Sequence, residues 1–334
     1  MGNSHNSMAG KSVLVTGAGG FIGSHLVEAL VRNDARVKAF VRYNSRGDPG
    51  LLSMLSPEIF GKLEIIAGDL RDLPALLSAS RDVEIIFHLG ALIAIPYSYK
   101  HPAEVVESNV LGTMNVLVAG RDNGVARIVH TSTSEVYGTA LRVPIDESHP
   151  LQGQSPYSAS KIGADKLAES FYCAYDLPVV TLRPFNTYGP RQSTRAVIPT
   201  IITQVLTKDV INLGNLDARR DFTYVSDTVE GFIRAAMIPG IEGETINLGA
   251  GNEIRIIDLV EEIISLTGKH VEIHVDSERL RPHKSEVQRL LSDNSLAKER
   301  LGWAPQVGLR EGLSQTIEWI SAHLHLYRTE RYQL

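Results

Sequence analysis

What the chain lacks narrows its class first. Only one of its 334 residues, Cys173, is a cysteine. An internal disulfide framework is therefore impossible, and a zinc site built from cysteines is not expected. Cys173 falls in an apolar helical stretch and is expected to pack in the core. No apolar run approaches the ~20 residues that a membrane span needs. The first ten residues, MGNSHNSMAG, are polar and hold no apolar signal-peptide stretch, so residues 1–10 read as a disordered leader. Their Met-Gly start has Asn6 where a myristoylation signal has Ser or Thr. Positive charge is not in excess either. The formal net charge is −5, and the basic stripe that marks nucleic-acid binders is missing. What remains, at 43% hydrophobic and 21% charged residues, is the composition of a folded globular chain. Its expected setting is the cytoplasm, with neither membrane nor nucleic acid as partner.

What is present is an alternation of strand and helix patterns from Lys11 onward. Residues 12–16 (SVLVT) form a β-branched run ending in a glycine cluster. A helix is expected over 21–32, with its apolar stripe at Ile22, Leu26, Ala29 and Leu30. Further strands are expected at 37–41, 63–67, 85–89, 126–131 and 179–183, and long helices at 103–123 and 158–175. The run at 85–89 is apolar almost throughout, as suits a parallel strand covered on both faces. This rhythm predicts an α/β fold, a doubly wound parallel sheet of the Rossmann kind. After Arg183 the rhythm loosens. Strands at 222–227 and 245–248 are expected to rejoin the sheet, and about 250–320 to form a smaller α/β unit.

The segment Thr16-Gly17-Ala18-Gly19-Gly20-Phe21-Ile22-Gly23 lies between the first strand and the first helix. Gly17, Gly20 and Gly23 give a GxxGxxG spacing. Glycine allows a tight turn and close approach of a pyrophosphate, and the helix start offers N–H groups and a positive dipole end to that anion. Phe21 and Ile22 belong to the same cradle, which predicts a dinucleotide. The end of the second strand, Val41-Arg42-Tyr43-Asn44, has no acid to take a ribose 2′-hydroxyl. Arg42 tips the expectation slightly from NAD toward NADP. Asp69 and Leu70, after the third strand, are candidates for the adenine end. Leu89 and Ala91, at and just after the end of the fourth, are candidates to border the cofactor's phosphates or ribose, and His88 is expected to be a strand-end packing residue.

Tyr157-Ser158-Ala159-Ser160-Lys161 has a YxxxK spacing, which puts Tyr157 and Lys161 on one helix face. A free tyrosine titrates near ~10, so only about 0.1% is phenolate at pH 7. A neighbouring ammonium and a positive nicotinamide ring would both favour the phenolate. That phenolate could take a hydroxyl proton as the carbon beneath it gives up hydride. At the end of another expected strand lies Thr131-Ser132-Thr133-Ser134-Glu135-Val136-Tyr137-Gly138. Its hydroxyls can bond the same substrate oxygen. Glu135 adds a carboxylate that hydride transfer at one carbon does not need, but removal of a proton from the next carbon does.

The glycine pattern, the Thr-Ser-Thr-Ser-Glu-Val-Tyr-Gly segment, YxxxK and Arg183-Pro184-Phe185-Asn186-Thr187-Tyr188-Gly189-Pro190 together resemble the extended short-chain dehydrogenase/reductase superfamily, in its nucleotide-sugar epimerase/dehydratase group. The likeness covers nearly the whole chain. Within the group, segments 91–99 (ALIAIPYSY), 151–161 (LQGQSPYSASK) and 281–291 (RPHKSEVQRLL) are most similar to 4,6-dehydratases of nucleotide-linked N-acetylglucosamine in legionaminic acid pathways. The resemblance implies a dinucleotide-binding domain over 11–183, with 216–249 rejoining it. A substrate-binding domain would come from 184–215 and 250–325. It implies that Tyr157 and Lys161 oxidise C4, that Thr133 bonds O4, and that Glu135 removes the C5 proton before water is lost and hydride returns to C6. Many such dehydratases have Asp where this chain has Ser134, to protonate the leaving hydroxyl; Thr-Ser-Glu resembles GDP-mannose dehydratases, where Glu serves both tasks in turn. UDP-glucuronate decarboxylases share that triplet, so decarboxylation, 4-epimerisation and 5,6-dehydration remain alternatives, as does a non-enzymatic dinucleotide sensor. By the same resemblance, and by the affinity of guanidinium forks for phosphate, Asn186, Arg191, Arg195, Val197, Arg220 and Arg289 are candidate contacts for a nucleotide-sugar. Asn109 is expected to hold a structural water or the catalytic loop. Family members commonly form homodimers through two long helices, here those near 103–123 and 158–175.

Overall fold

The computed structural model describes residues 7–280 and 282–327. β1 (Ser12–Thr16) runs into α1 (Phe21–Arg32), then β2 (Arg36–Arg42), a short α2 (Pro57–Phe60), β3 (Glu64–Gly68), α3 (Leu73–Ala79) and β4 (Ile85–His88). Two short helices follow, α4 (Ile95–Lys100) and α5 (Pro102–Val106). A π-helical turn, Glu107–Leu111, joins them to α6 (Gly112–Asp122). The helix expected over 103–123 is thus continuous, with one wide turn inside it, a feature frequent at functional sites. Then come β5 (Arg127–Thr131), α7 (Pro156–Tyr175) and β6 (Val179–Pro184).

These strands, joined by a later one, make a seven-stranded sheet in the order β10-β6-β5-β4-β1-β2-β3. Every pairing in it is parallel. The period-2 alternation explains why β1 and β4 bury every residue. Val13, Val15, Phe87 and Val129 enter the core shared with α1, whereas Leu14, Phe40, Ile86 and Ile128 pack with α3, α6 and α7 residues such as Leu76, Val116 and Ala168. The order reverses between β1 and β4. Open parallel sheets bind ligands in the crevice at such a switch point.

The remainder comprises β7 (Asn186–Tyr188), α8 (Val197–Thr207), β8 (Val210–Leu213), β9 (Arg219–Tyr224), α9 (Val225–Met237), β10 (Thr245–Leu248), β11 (Glu253–Arg255), α10 (Ile256–Thr267), β12 (Glu272–Val275), α11 (Ser295–Leu301) and α12 (Leu309–Ala322). β11-β9-β7 form a three-stranded sheet, and β12-β8 a pair. Among the described residues no helix is long and apolar enough to cross a membrane.

Three expectations are corrected. The strand expected over 222–227 does not rejoin the large sheet. The free edge of β6 is taken by β10, so Phe222–Tyr224 pair with Asn186–Tyr188 instead, and Val225 already opens α9. Cys173 is exposed, because the buried stripe of α7 runs through Lys161, Ala164, Ala168 and Phe171 and leaves position 173 outside it. The leader is not disordered throughout. Residues 1–6 lie outside the described residues, but Met8 is buried in the main core, and Gly10 N–H donates to Asp34 O at 2.9 Å.

One carboxylate joins the small sheet to the edge of the large one. Asp221, in β9 and fully buried, accepts from the backbone N–H groups of Ala250 (2.8 Å), Gly251 (2.9 Å) and Ser292 (3.0 Å). Burial lifts its pKa to about 6 against the pull of these bonds. Asp221→Asn would turn an NH2 against an N–H. We expect a loss of about 3 kcal/mol in unfolding free energy, since a buried donor left without its acceptor costs about 1–3 kcal/mol. A lower urea midpoint at unchanged m-value is the signature; an unchanged midpoint would mean the carboxylate holds nothing.

Candidate active site

The crevice at the switch point opens into a cleft of about 830 Å³. Its floor is the turn after β1. Gly17 has φ +70°, and a Cβ there would lie 2.7 Å from Gly90 N. A Cβ on Gly23 would lie 2.2 Å from Gly17 O. Gly20 caps α1 without any side-chain hydrogen bond, and Phe21, Ile22 and Gly23, which carry the first N–H groups of that helix, line the cleft. A shallow cradle of backbone at a helix start fits a pyrophosphate. Leu89 and Ala91 form the opposite wall. A smaller cleft of about 140 Å³ continues from it, sharing Gly17, Arg42 and Ala91 and adding Asp69, Leu70 and Ser108. This shape and length suit a dinucleotide. Sequence reasoning missed the loop 44–50, of which Asn44, Asp48, Pro49 and Gly50 line the cleft. Pro49 O is 2.5 Å from where a Gly19 Cβ would stand, and Leu51 N–H donates to Gly19 O at 3.0 Å. The turn-rich NSRGDPG composition was the available signal.

The catalytic wall is built by α7. Ser155 and Ser158 form a reciprocal capping box, with Pro156 at the first helical position. This start fixes Tyr157 at the helix mouth and Lys161 one turn on. Tyr157 is 7% exposed, and the Thr133 side chain lies close enough to its phenol to act on it. Lys161 Nζ donates to Thr131 O at 2.6 Å. Thr133 also caps the turn Ser134–Tyr137, its Oγ1 accepting from Glu135 N–H at 3.3 Å. The far end of that turn is held by Tyr137, whose hydroxyl donates to Asn247 Oδ1 (2.7 Å) and accepts from Arg183 Nη1 (3.0 Å). Thr133, Ser134 and Glu135 are thereby brought to the cleft beside Tyr157.

Beneath them lies Asp165, which sequence reasoning also missed although it continues the face of Tyr157 and Lys161 by one turn. Its carboxylate accepts from Ser132 Oγ (2.7 Å) and from Arg183 Nε (3.2 Å) and Nη2 (3.0 Å), and lies 3.2 Å from His130 Nε2. Asn109, in the π-turn, accepts from Leu92 N–H (2.8 Å) and donates to Leu92 O and Ser160 Oγ, both at 2.9 Å. It ties the loop after β4 to the catalytic helix. His88 is buried between Thr16 Oγ1 (2.8 Å) and Thr113 Oγ1 (3.0 Å).

The electrostatics correct one expectation. Burial, not the neighbouring ammonium, dominates Tyr157. It pushes the phenol above its ordinary value, Glu135 and Asp165 add to that push, and the Thr133 hydrogen bond opposes it. Burial lowers Lys161 to about 8 against the pull of Asp165. A positively charged ligand in the cleft would favour the phenolate.

At the other end, Asn186, Arg195, Val197 and Arg220 line the cleft, together with Arg279 and Glu286, which the sequence did not single out. The amide oxygen of Asn186 is buried with no hydrogen-bond partner among the described residues. Arg220 donates to Arg219 O (2.9 Å) and lies 3.5 Å from Glu286. Two candidates are not brought to the cleft. Arg191, at φ +69°, pairs with Glu28 of α1 at 2.5 Å. Arg289 is held by both oxygens of Glu253 at 2.7 Å. Each guanidinium found a carboxylate on an adjacent element first. Arg42 lines both clefts.

Comparison with known proteins agrees with this layout. Residues 14–316 match the family model described as GDP-mannose 4,6 dehydratase. The dTDP-D-glucose 4,6-dehydratase of Mus musculus is 33% identical over 329 residues, covering 95% of this chain and 91% of that protein. DesIV, a dTDP-glucose 4,6-dehydratase from Streptomyces venezuelae solved with NAD bound, superposes with a TM-score of 0.85 at 30% identity, covering 95% and 99% of the two chains. The UDP-N-acetylglucosamine 4-epimerase of Methanobrevibacter ruminantium M1, solved with UDP-N-acetylmuramic acid, superposes with a TM-score of 0.86 at 30% identity, covering 94% and 99%. A glycine cradle at the switch point, a tyrosine on the cleft wall with its lysine buried one helical turn behind it and a family match along almost the whole length lead to one conclusion: the chain is an enzyme that belongs to the GDP-mannose 4,6-dehydratase family of NAD-dependent epimerases and dehydratases.

Proposed function

We propose that this enzyme is a nucleotide-sugar 4,6-dehydratase acting on N-acetylglucosamine carried by UDP or GDP. Its family places it among nucleotide-sugar 4,6-dehydratases, 4-epimerases and decarboxylases; the proposal is the choice among these and the sugar. One observation favours dehydration over epimerisation, and the likeness of segments 91–99 and 151–161 to dehydratases favours it over decarboxylation. Glu135 stands on the same cleft wall as Tyr157, close enough for its charge to act on the phenol. A 4-epimerase has no task for a second proton acceptor there. The N-acetyl sugar is supported by the likeness of segments 91–99 and 151–161 to dehydratases of that substrate. The UDP-N-acetylglucosamine epimerase among the structural neighbours supports it too.

The cradle at Gly17, Gly20 and Gly23 would hold the pyrophosphate of NAD or NADP, with Asp69 and Leu70 at the adenine end. A nicotinamide held there would supply the reversible hydride chemistry that links C4 to C6. Tyr157 takes the O4 proton while Thr133 bonds O4, and the Lys161 ammonium favours the phenolate. The C4 ketone acidifies the C5–H, and Glu135 accepts that proton. Ser134 is a poor acid, so the protonated Glu135 is the group that gives its proton to the departing C6 hydroxyl, which leaves as water. C5 then regains a proton equal to the one Tyr157 took from O4, and no net acid or base is consumed. Asn186, Arg195, Val197 and Arg220 are the proposed substrate contacts. A homodimer through α6 and α7 belongs to this reading, supported by the exposed Leu111 and Tyr175 on those helices and the turn before them.

Incubation with UDP- or GDP-N-acetylglucosamine in D2O, without added reductant, should give a 4-keto-6-deoxy sugar lighter by one water and deuterated at C5. Unchanged mass with inverted C4 would replace dehydration by epimerisation, and CO2 release from a glucuronate substrate would replace it by decarboxylation. Glu135→Gln should reduce dehydration by about 10²–10⁴-fold, the range for a lost general base, while nucleotide binding read by thermal shift stays intact. Dehydration retained in that variant removes Glu135 from the chemistry. Turnover should also fall as pH rises through about 8, where Lys161 loses its proton and charge. Lys161→Arg, whose guanidinium keeps its charge, should lack this alkaline limb even if it is slower. A native profile that stays level well above pH 8 would separate the rate from the ammonium.

A further inference from the structure

The adenosine end of the trough has an arrangement that the reaction itself does not use. Arg42, the last residue of β2, borders both clefts. Its side chain is 66% exposed, and Nη2 lies 3.4 Å from Oε1 of Glu104 in α5. The other oxygen of Glu104 accepts the Tyr97 hydroxyl from α4. Glu104 therefore cannot turn away from Arg42 without giving up its phenol partner. Next to this pair, Arg71 donates through Nε and Nη2 to the two oxygens of Asp69 (3.0 and 2.8 Å) and reaches Glu107 at 3.3 Å. Glu107 opens the π-turn whose Ser108 lines the smaller cleft. The two guanidiniums at this end are thus matched by three carboxylates.

We propose that Glu104 is a cofactor-specificity residue. By engaging Arg42 and leaving the adenosine end with an excess of negative charge, it selects the dinucleotide that carries a free 2′-hydroxyl. This rests on the reading of the cradle as a nicotinamide-dinucleotide site, and it reverses the slight preference for NADP that Arg42 alone suggested. The physical reason is charge. A phosphate monoester brings about −1.5 to −2 at neutral pH and needs a guanidinium able to receive it, whereas a hydroxyl is neutral. At this end the phosphate must displace Glu104 from Arg42 or sit beside it. Tyr97 holds the carboxylate in place, and Asp69 and Glu107 occupy Arg71. Solvent exposure weakens each pair individually, so the expected discrimination is moderate and sensitive to salt.

The test is titration of the full chain with NAD and with NADP, read by calorimetry and thermal shift rather than turnover. The native chain should bind NAD at least about tenfold more tightly than NADP. Glu104→Gln should close most of that gap by tightening NADP binding, leaving NAD binding unchanged. Tyr97→Phe keeps the Glu104 charge but frees the carboxylate to turn, and should narrow the gap less than Glu104→Gln does, which separates charge from positioning. Arg42→Ala should not weaken NADP more than NAD. Equal or tighter NADP binding by the native chain overturns the proposal, and so does a Glu104→Gln ratio equal to the native one. Binding of neither nucleotide overturns the cofactor reading, and this proposal with it; binding of both with the wrong preference overturns this proposal alone.

Discussion

The buried carboxylate of Asp165 organises the catalytic half of the molecule. It collects hydrogen bonds from Ser132 at the end of β5 and from Arg183 at the end of β6, with His130 against it. It stands one turn beyond Lys161 on α7. A charge taken out of water is tolerated only when its partners are complete, and removing one partner of such a pair costs about 3–5 kcal/mol. The register of α7 against the strand ends is therefore stiff. Tyr157 inherits its position from a helix locked at one end by the Ser155–Ser158 capping box and lower down by Asp165. Arg183 extends the same network to Tyr137 and Asn247. The turn bearing Glu135 is thus positioned by the strands that position Lys161.

Arg183 shows why the reactive groups come from segments far apart in the chain. It lies in β6, its ligands lie in α7 and in the turn after β5, and Asn247 lies in β10. The parallel sheet places the carboxyl ends of all these strands along one edge, so a single buried guanidinium can span them. Across the cleft, the small sheet joins the large one through Asp221, a second buried carboxylate. That one is satisfied by backbone N–H groups rather than by cations. The two acids differ accordingly: against its burial, Asp165 is held below the usual carboxylate range by the His130 hydrogen bond and the charges of Arg183 and Lys161, whereas Asp221 is raised.

Local motifs were legible in the sequence. The glycine turn, the YxxxK pair and the Thr-Ser-Thr-Ser-Glu segment each fit within one turn or strand end, where spacing alone dictates geometry. The parallel strands were legible because full burial leaves uninterrupted apolar runs. Pairing between elements was not. Arg191 and Arg220 look alike as letters, yet Arg191 meets Glu28 on α1 while Arg220 stays at the cleft. Arg42 signalled a phosphate until Glu104, sixty-two positions away, appeared beside it. The strand at 222–227 was sound as a strand over its first half, but its partner depended on β10 filling the edge of β6. Cys173 was misplaced because an apolar stretch of helix does not reveal which side the stripe faces.

The contact between Pro49 and Gly19 bears on how the enzyme keeps its cofactor. The backbone of residues 49–51 rests on the glycine turn and is hydrogen-bonded to it, so the phosphate cradle has a roof made of main chain. A dinucleotide seated in that cradle would have to pass this backbone to leave, which would favour its retention from one turnover to the next. For a dehydrogenase, which must exchange its nucleotide each cycle, this retention would limit the rate. For a reaction that finishes with the nucleotide in its original oxidation state it carries no such penalty, and the nucleotide behaves as a prosthetic group. Under the proposed dehydration, catalysis would then run independently of the pool of reduced and oxidised nicotinamide around the enzyme.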